Sequence, residues 1–221
     1  MATIGVVTEP YDDATIIDAL REHQALDDDP ARRVYRGVIM DLVSAAAGSG
    51  GEPVLLVPAA GASIDADQLI EDAVGPTPDI PVHPYDPGEL FFDAVGQVGE
   101  PTAVISPANP LVQRTHIDAA AMKMRRHDVV LGPTAAGGVW YHGIHEPREG
   151  EWIDPAPGVT GIVEDHLAAE RSVDFIPPWP DATTVPGWHG IESLLVAHHA
   201  VGREIAPFTH EALRAAGVLT A

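Results

Sequence analysis

The segment Ala103-Val104-Ile105-Ser106-Pro107-Ala108-Asn109-Pro110-Leu111, with Asp128-Val129-Val130-Leu131-Gly132-Pro133-Thr134-Ala135-Ala136-Gly137-Gly138-Val139-Trp140-Tyr141-His142-Gly143-Ile144 after it, decides how this chain is read. Thr102–Ile105 is a strand, apolar throughout Ala103-Val104-Ile105 as strands buried on both faces are. Two prolines break it. Thr115 with Asp118 resembles a capping box, and the spacing predicts a helix over Ile117–Arg126 that His127-Asp128 ends. Val129–Leu131 is the next strand, broken by Gly132-Pro133, and Val139–His142 is another. Strands alternating with helices predict an α/β fold with a largely parallel sheet.

The pattern extends in both directions. Ile4–Val7 is a first strand. Asp29-Pro30 gives an N-cap and a first-turn proline, after which Ala31, Val34, Tyr35, Val38, Ile39, Leu42, Val43 and Ala46 mark one helical face up to Gly48. Pro53–Val57 is a second strand, Ser63 to Val74 a helix with Leu69, Ile70 and Val74 inward, and another helix starts near Pro87. Residues 146–161 carry Pro147, Pro155 and Pro157 among many charges and read as a surface excursion. A helix over Val163–Glu170, a strand over Val173–Ile176, the stiff Pro177-Pro178-Trp179-Pro180, and helices over Ile191–Val201 and Thr209–Ala216 complete the chain. With no repeat and no linker, the 221 residues are read as one domain spanning 1–221.

Composition narrows the function. Lys+Arg 12 against Asp+Glu 33 gives a net charge of −21, which argues against nucleic acid and anionic membranes as partners. Lys123 is the only lysine, so there is no phosphate-binding G-x-x-x-x-G-K-[ST] loop, and Schiff-base chemistry would rest on that one side chain. The absence of cysteine excludes disulfides, thiolate nucleophiles and cysteine metal sites. The N-terminus has no basic leader and no apolar run reaches the roughly 20 residues of a membrane span, so a cytoplasmic protein is expected. Acid excess with almost no lysine suits a halophilic protein working in molar salt, where the Debye length falls to about 3 Å; the alternative is an acidic surface in ordinary salt.

Motif by motif, most catalytic signatures are missing: there is no G-x-G-x-x-G, H-E-x-x-H, G-x-S-x-G or EF-hand loop. His142 and His145, with Asp154, Asp165 and His166, suggest a metal site, but a spacing of three on a strand does not put two imidazoles on one face. Satisfied or exposed histidines are the simpler reading. His198-His199 lies mid-helix, where at most one of the two faces inward. Lys123, Arg125, Arg126 and His127 complement a helix C-terminus more simply than they bind an anion. Asp27-Asp28-Asp29 reads as a cap at Asp29 with two solvated neighbours. Trp152, Trp179 and Trp188 read as packing under the proline-rich region rather than as a self-association surface.

The opening segment resembles glycosyltransferase-A-like proteins catalogued as radical-SAM or selenodomain-associated transferases, relatives of the nucleotide-diphospho-sugar transferases. There, a strand ends in G-[TS]-D-C-P-x-L and, past a helix, D-x-V-x-G-P-A-x-D-G-G-Y-x-L-x-G-L follows. Ile4 to Pro10 lies where that family has a strand ending in K-x-P, followed by a K-T-R-L run. Asp86-Pro87-Gly88-Glu89-Leu90 lies at its D-L-G-E-R, and Ile176 to Asp181 at its strand leading to D-x-D. The resemblance covers most of the chain and implies a three-layer α/β sandwich with a mixed, mostly parallel sheet of the nucleotide-diphospho-sugar transferase type.

The charged positions depart from that pattern. The family's carboxylates fall on Ala108 and Ala136, its lysine on Thr8, its K-T-R-L run near Thr15-Ile16-Ile17-Asp18, and its arginine on Leu90. Transfer from a nucleotide needs the diphosphate charge neutralised by Mg²⁺, Mn²⁺ or cationic side chains. Only Asp181, with Asn109 one residue displaced as a neutral ligand, remains at a matching place. The expected ligand crevice is formed by Thr8, Asn109, Gly132, Pro133, Gly137, Gly138 and Tyr141, with Asp181 as the metal candidate and no catalytic residue assigned. Gly137-Gly138 is read equally as a plain turn or as a close backbone approach to a ligand. Trp140 and Tyr141 alternate faces, one toward the crevice and one toward the core.

Two functions are open on this reading, beside a Rossmann-like fold of unrelated function. The first is a catalytically impaired relative that keeps the crevice as a binding or partner protein, its ligand a nucleotide or nucleotide-sugar, with no cofactor. The second is an active metal-dependent glycosyl- or nucleotidyltransferase that rebuilds a cation site from Asp181 and acids such as Glu9, Asp12 or Asp13, and that would need Mg²⁺ or Mn²⁺.

Overall fold

Short runs rich in β-branched residues favour extended backbone, and among the described residues of a computed structural model seven strands form one sheet whose central strands are buried on both faces. The structure describes residues 1–10, 14–59, 65–76, 79–86, 92–96, 98–151 and 158–219. The elements run β1 (Thr3–Val7), α1 (Thr15–Gln24), α2 (Asp28–Ala47), β2 (Glu52–Pro58), α3 (Ala66–Val74), β3 (Val82–Tyr85), α4 (Phe92–Val95) and β4 (Thr102–Ile105). They continue through α5 (Arg114–Met124), β5 (Val129–Pro133), β6 (Val139–Ile144), α6 (Gly158–Ala168), β7 (Val173–Phe175), α7 (Val185–Ala200) and α8 (Pro207–Ala215).

The strand order is β3-β2-β1-β4-β6-β5-β7. Only β6 runs antiparallel to its neighbours, β4 and β5. The sheet is therefore mixed and mostly parallel, and helices cover both faces as parallel strands require. Ile4, Val6, Leu55, Ala103, Ile105 and Val130 join the larger core with α1, α2, α5 and α7. Their alternates Val54, Leu56, Val104, Val129 and Leu131 join the smaller core, with Phe92 and Ile162. The three-layer α/β architecture expected from the sequence is thus present. No helix among the described residues is long and apolar enough to cross a membrane.

Several boundaries differ from expectation for identifiable reasons. The α5 capping box is made by Gln113 and His116, not Thr115 and Asp118: the Gln113 amide donates to His116 Nδ1 at 3.1 Å. Asp118 instead accepts from the Gly50 amide at 2.9 Å. Helix α2 starts two residues earlier than an Asp29 cap implies, with Asp27 at its N-cap. Helix α7 starts at Val185 because the Thr184 hydroxyl accepts from Gly187 N. Helix α6 starts at Gly158, at φ +64°. Both α1 and β3 were not expected. The helix expected near Pro87 begins outside the described residues, as do Ser63, Trp152 and Asp154.

Helix α8 is fastened across the molecule. Asp41, on α2, accepts from Phe208 N at 3.2 Å, Thr209 N at 2.8 Å and Thr209 Oγ1 at 2.6 Å, so a distant carboxylate caps it. Burial pushes the Asp41 carboxyl up to about 7, against the pull of those hydrogen bonds.

Candidate functional site

In an open α/β sheet, ligands bind outside the carboxyl ends of the strands, where the strand order reverses. Here that point lies at β1, flanked by β2 and β4. Loops leave the carboxyl edge after β1, β2, β3, β4 and β7, and the β5–β6 turn, 134–138, joins them. They bring Thr8, Asn109, Gly137, Gly138 and Asp181 to one edge of the sheet. The described residues of these loops include four acids, Glu9, Asp65, Asp86 and Asp181, and no lysine or arginine, while Asp12, Asp13 and Glu89 lie outside the described residues. Arg148 and Arg171 lie elsewhere, lining a concavity of about 470 Å³ with Asp128 and Ile144 beside the amino end of β5.

At the end of β1, Thr8 is fully buried and tied to the backbone: its hydroxyl donates to Leu56 O at 3.0 Å. Its own carbonyl accepts from the Tyr85 hydroxyl at 2.5 Å. Glu9 N donates to the Tyr35 hydroxyl at 2.6 Å, and Glu9 Oε2 accepts from Thr15 N at 3.1 Å. That carboxylate caps α1, whose N-cap residue Ala14 has no side chain to do so. Burial pushes the Glu9 carboxyl up while the Thr15 hydrogen bonds pull it down. Burial and the nearby Glu9 raise the Tyr85 phenol to about 12.

Asp181 is 4% exposed, and threonines satisfy it. Its Oδ2 accepts from Thr134 Oγ1 at 2.5 Å, and its Oδ1 accepts from Thr183 N at 2.9 Å and Thr183 Oγ1 at 2.5 Å. Thr134 Oγ1 in turn accepts from Gly138 N at 2.9 Å, so the β5–β6 turn is coupled to the start of α7. Helix α7 approaches so closely that a Cβ on Gly187 would lie 1.7 Å from Asp181 O. Only glycine fits there.

The β5–β6 turn closes through Thr134 N to Gly138 O at 2.8 Å, and Gly137 takes φ +88°, a left-handed conformation that favours glycine. The space a Gly137 Cβ would occupy is open, so backbone conformation alone accounts for this residue. Gly132 and Pro133 mark a bulge in β5, with Trp140 against Gly132. Asn109 Oδ1 accepts from Leu111 N at 3.0 Å, whereas its buried Nδ2 has no partner among the described residues. Ala108 O accepts from Ala182 N at 2.8 Å, which brings the two motif segments together without a second carboxylate. Trp140 and Tyr141 are both fully buried in the larger core, and burial raises the Tyr141 phenol.

A divalent ion of the kind such folds use does not fit the donors at these matching places. One carboxylate is present, both its oxygens hold hydrogen bonds, and alanine occupies the other two positions. Among the described residues, no group of three His, Asp or Glu is placed to hold a metal ion.

The remaining candidates lie apart. His142 Nε2 is 2.9 Å from His166 Nε2, not from His145. Burial, with His166 and Arg171 adding, holds the His142 imidazole down at about 3. Lys123 Nζ meets Asp174 at 2.5 Å, and His127 lies 3.6 Å from the same carboxylate, so part of this basic cluster is already paired. Asp28 pairs with Arg21 at 2.7 Å. Trp188 is buried, and Trp179 packs on His116 with ring centroids 4.9 Å apart. Sequence reasoning passed over Thr134 as a partner of Asp181, because 47 residues separate them.

No protein-family model matches the sequence, and no curated protein matches it. The fold is shared with a proposed nucleotide-diphospho-sugar transferase from Desulfovibrio desulfuricans: the TM-score is 0.68 over 97% of this chain and 95% of that one, at 16% identity. At that identity the likeness establishes the fold.

Proposed function

We propose that this chain uses the crevice of a nucleotide-diphospho-sugar transferase fold for binding, without the metal-dependent transfer the fold supports elsewhere. One observation carries this reading: the carboxyl-edge loops hold no lysine or arginine, and Asp181 is occupied by Thr134 and Thr183. A diphosphate in such a site would meet acids with neither a cation nor a preformed metal site to offset its charge. A nucleotide or nucleotide-sugar would therefore bind weakly there.

The rival reading is an active glycosyl- or nucleotidyltransferase with a rebuilt Mg²⁺ or Mn²⁺ site, and the acids Glu9, Asp65, Asp86 and Asp181 of the same loops favour it. Calorimetric titration with Mn²⁺ and a panel of nucleotides and nucleotide-sugars, in molar KCl, separates the two. The binding reading expects no metal-dependent heat. Metal-dependent binding of a nucleotide or nucleotide-sugar would overturn it and favour the transferase.

A further inference from the structure

On α7, residues Pro186, His189, Ser193, Val196, Ala197 and Ala200 are exposed and recur at helical spacing, forming an outward stripe with the exposed His199 at its side. None of these exposed α7 residues is Asp, Glu, Lys or Arg, and their titratable groups are the imidazoles of His189 and His199. Every other described helix of eight or more residues exposes at least one Asp, Glu or Arg: Glu22 on α1, Asp29 on α2, Glu71 on α3, Arg114 on α5, Glu164 on α6 and Glu211 on α8. Val196 is 50% exposed and Val201, just past the helix, 69%. Glu192, the one acid on α7, is turned inward to His23 and Gln24. The uncharged face is therefore a local exception on a molecule of net charge −21.

That exception selects a partner. A basic macromolecule would be drawn to the acids, which lie on other helices, and would gain nothing from a stripe without Asp or Glu. An acidic partner is repelled elsewhere and tolerated here, provided it presents an uncharged face of its own. A second copy of this chain meets both conditions, and a face that matches itself is what a two-fold interface requires. We propose that α7 is the self-association surface, with two copies packing their outer α7 faces antiparallel about a two-fold axis. The small side chains of Ser193, Ala197 and Ala200 let the helices approach closely while Val196 fills the gap. Sixteen residues give a contact about 24 Å long, a narrow strip beside the ~800 Å² per partner of a standard interface, so the dimer is weak.

Sedimentation velocity on the full chain, over a micromolar concentration series in low and in molar KCl, tests this. The expected result is a reversible dimer that tightens in molar salt, as repulsion is screened and apolar contact strengthens. Val196→Glu, and separately Ala200→Glu, should each raise its dissociation constant by about tenfold or more by facing like charges across the axis. Both sites are exposed, so circular dichroism should show an unchanged fold. Met122→Glu, on the exposed face of α5, should leave the constant within about twofold. A monomer at every concentration in molar KCl, a dimer indifferent to both α7 variants, or an equal loss with Met122→Glu would each overturn the proposal.

Discussion

Asp181 is the residue whose meaning changes most between sequence and structure. By motif position it is the surviving metal-side carboxylate; in three dimensions it joins the β5–β6 turn to α7 through Thr134 and Thr183. Asp181→Ala would leave those buried donors unpaired, and urea unfolding should show a loss on the order of 3 kcal/mol. A loss below about 0.5 kcal/mol would show that the threonine contacts contribute little to stability. Thr8 and Asn109 were placed at the carboxyl edge by their segments alone, since the residues just past the carboxyl end of a strand fall there. Their engagement with Leu56 O and Leu111 N was not legible, because backbone partners leave no signature in the sequence. Glu9 was legible only as an acid; its role at the start of α1 depends on its carboxylate meeting Thr15 N.

Helices and strands were read well where periodicity was long and poorly where it was short. Helix α2, with twenty residues and a continuous apolar face, was anticipated to within a residue or two. Helix α1 was missed because Thr15-Ile16-Ile17 is β-branched and its N-terminus is capped by Glu9 from outside the helix. Strand β3 was missed because Pro84 argues against a strand; β3 tolerates it as an edge strand paired only with β2. Helix α8 carries a pH prediction. The Asp41 carboxyl sits near 7 in the folded protein and near 3.8 when unfolded, so between these values the folded state binds more protons. Its contribution to stability is therefore largest near pH 4 and declines as pH rises to about 7. Unfolding of the parent protein and Asp41→Asn, compared across that window, should give a parent curve that falls relative to the variant. Parallel curves would show that Asp41 titrates no differently in the two states.

For the molecule as a whole, charge is the dominant physical fact. With 33 acids against 12 bases, at least 21 acids lack a lysine or arginine to pair with, and ion pairs such as Arg36–Asp72 and Arg214–Glu211 already hold some of the cations. The unfolding midpoint should rise from low to molar KCl as self-repulsion is screened, and a midpoint equal throughout would argue against adaptation to salt. The sequence alone determined the fold class, most of the strands and the net charge, because apolar periodicity and composition are local or additive properties. It also determined that no cysteine-based chemistry is built in and that lysine chemistry rests on one residue. Only the tertiary structure decided that Asp181 is held by threonines, that the carboxyl-edge loops gather acids without cations, and that α7 presents an uncharged face. Each of those depends on which distant segments meet, and burial and contact between residues far apart in sequence are set by packing.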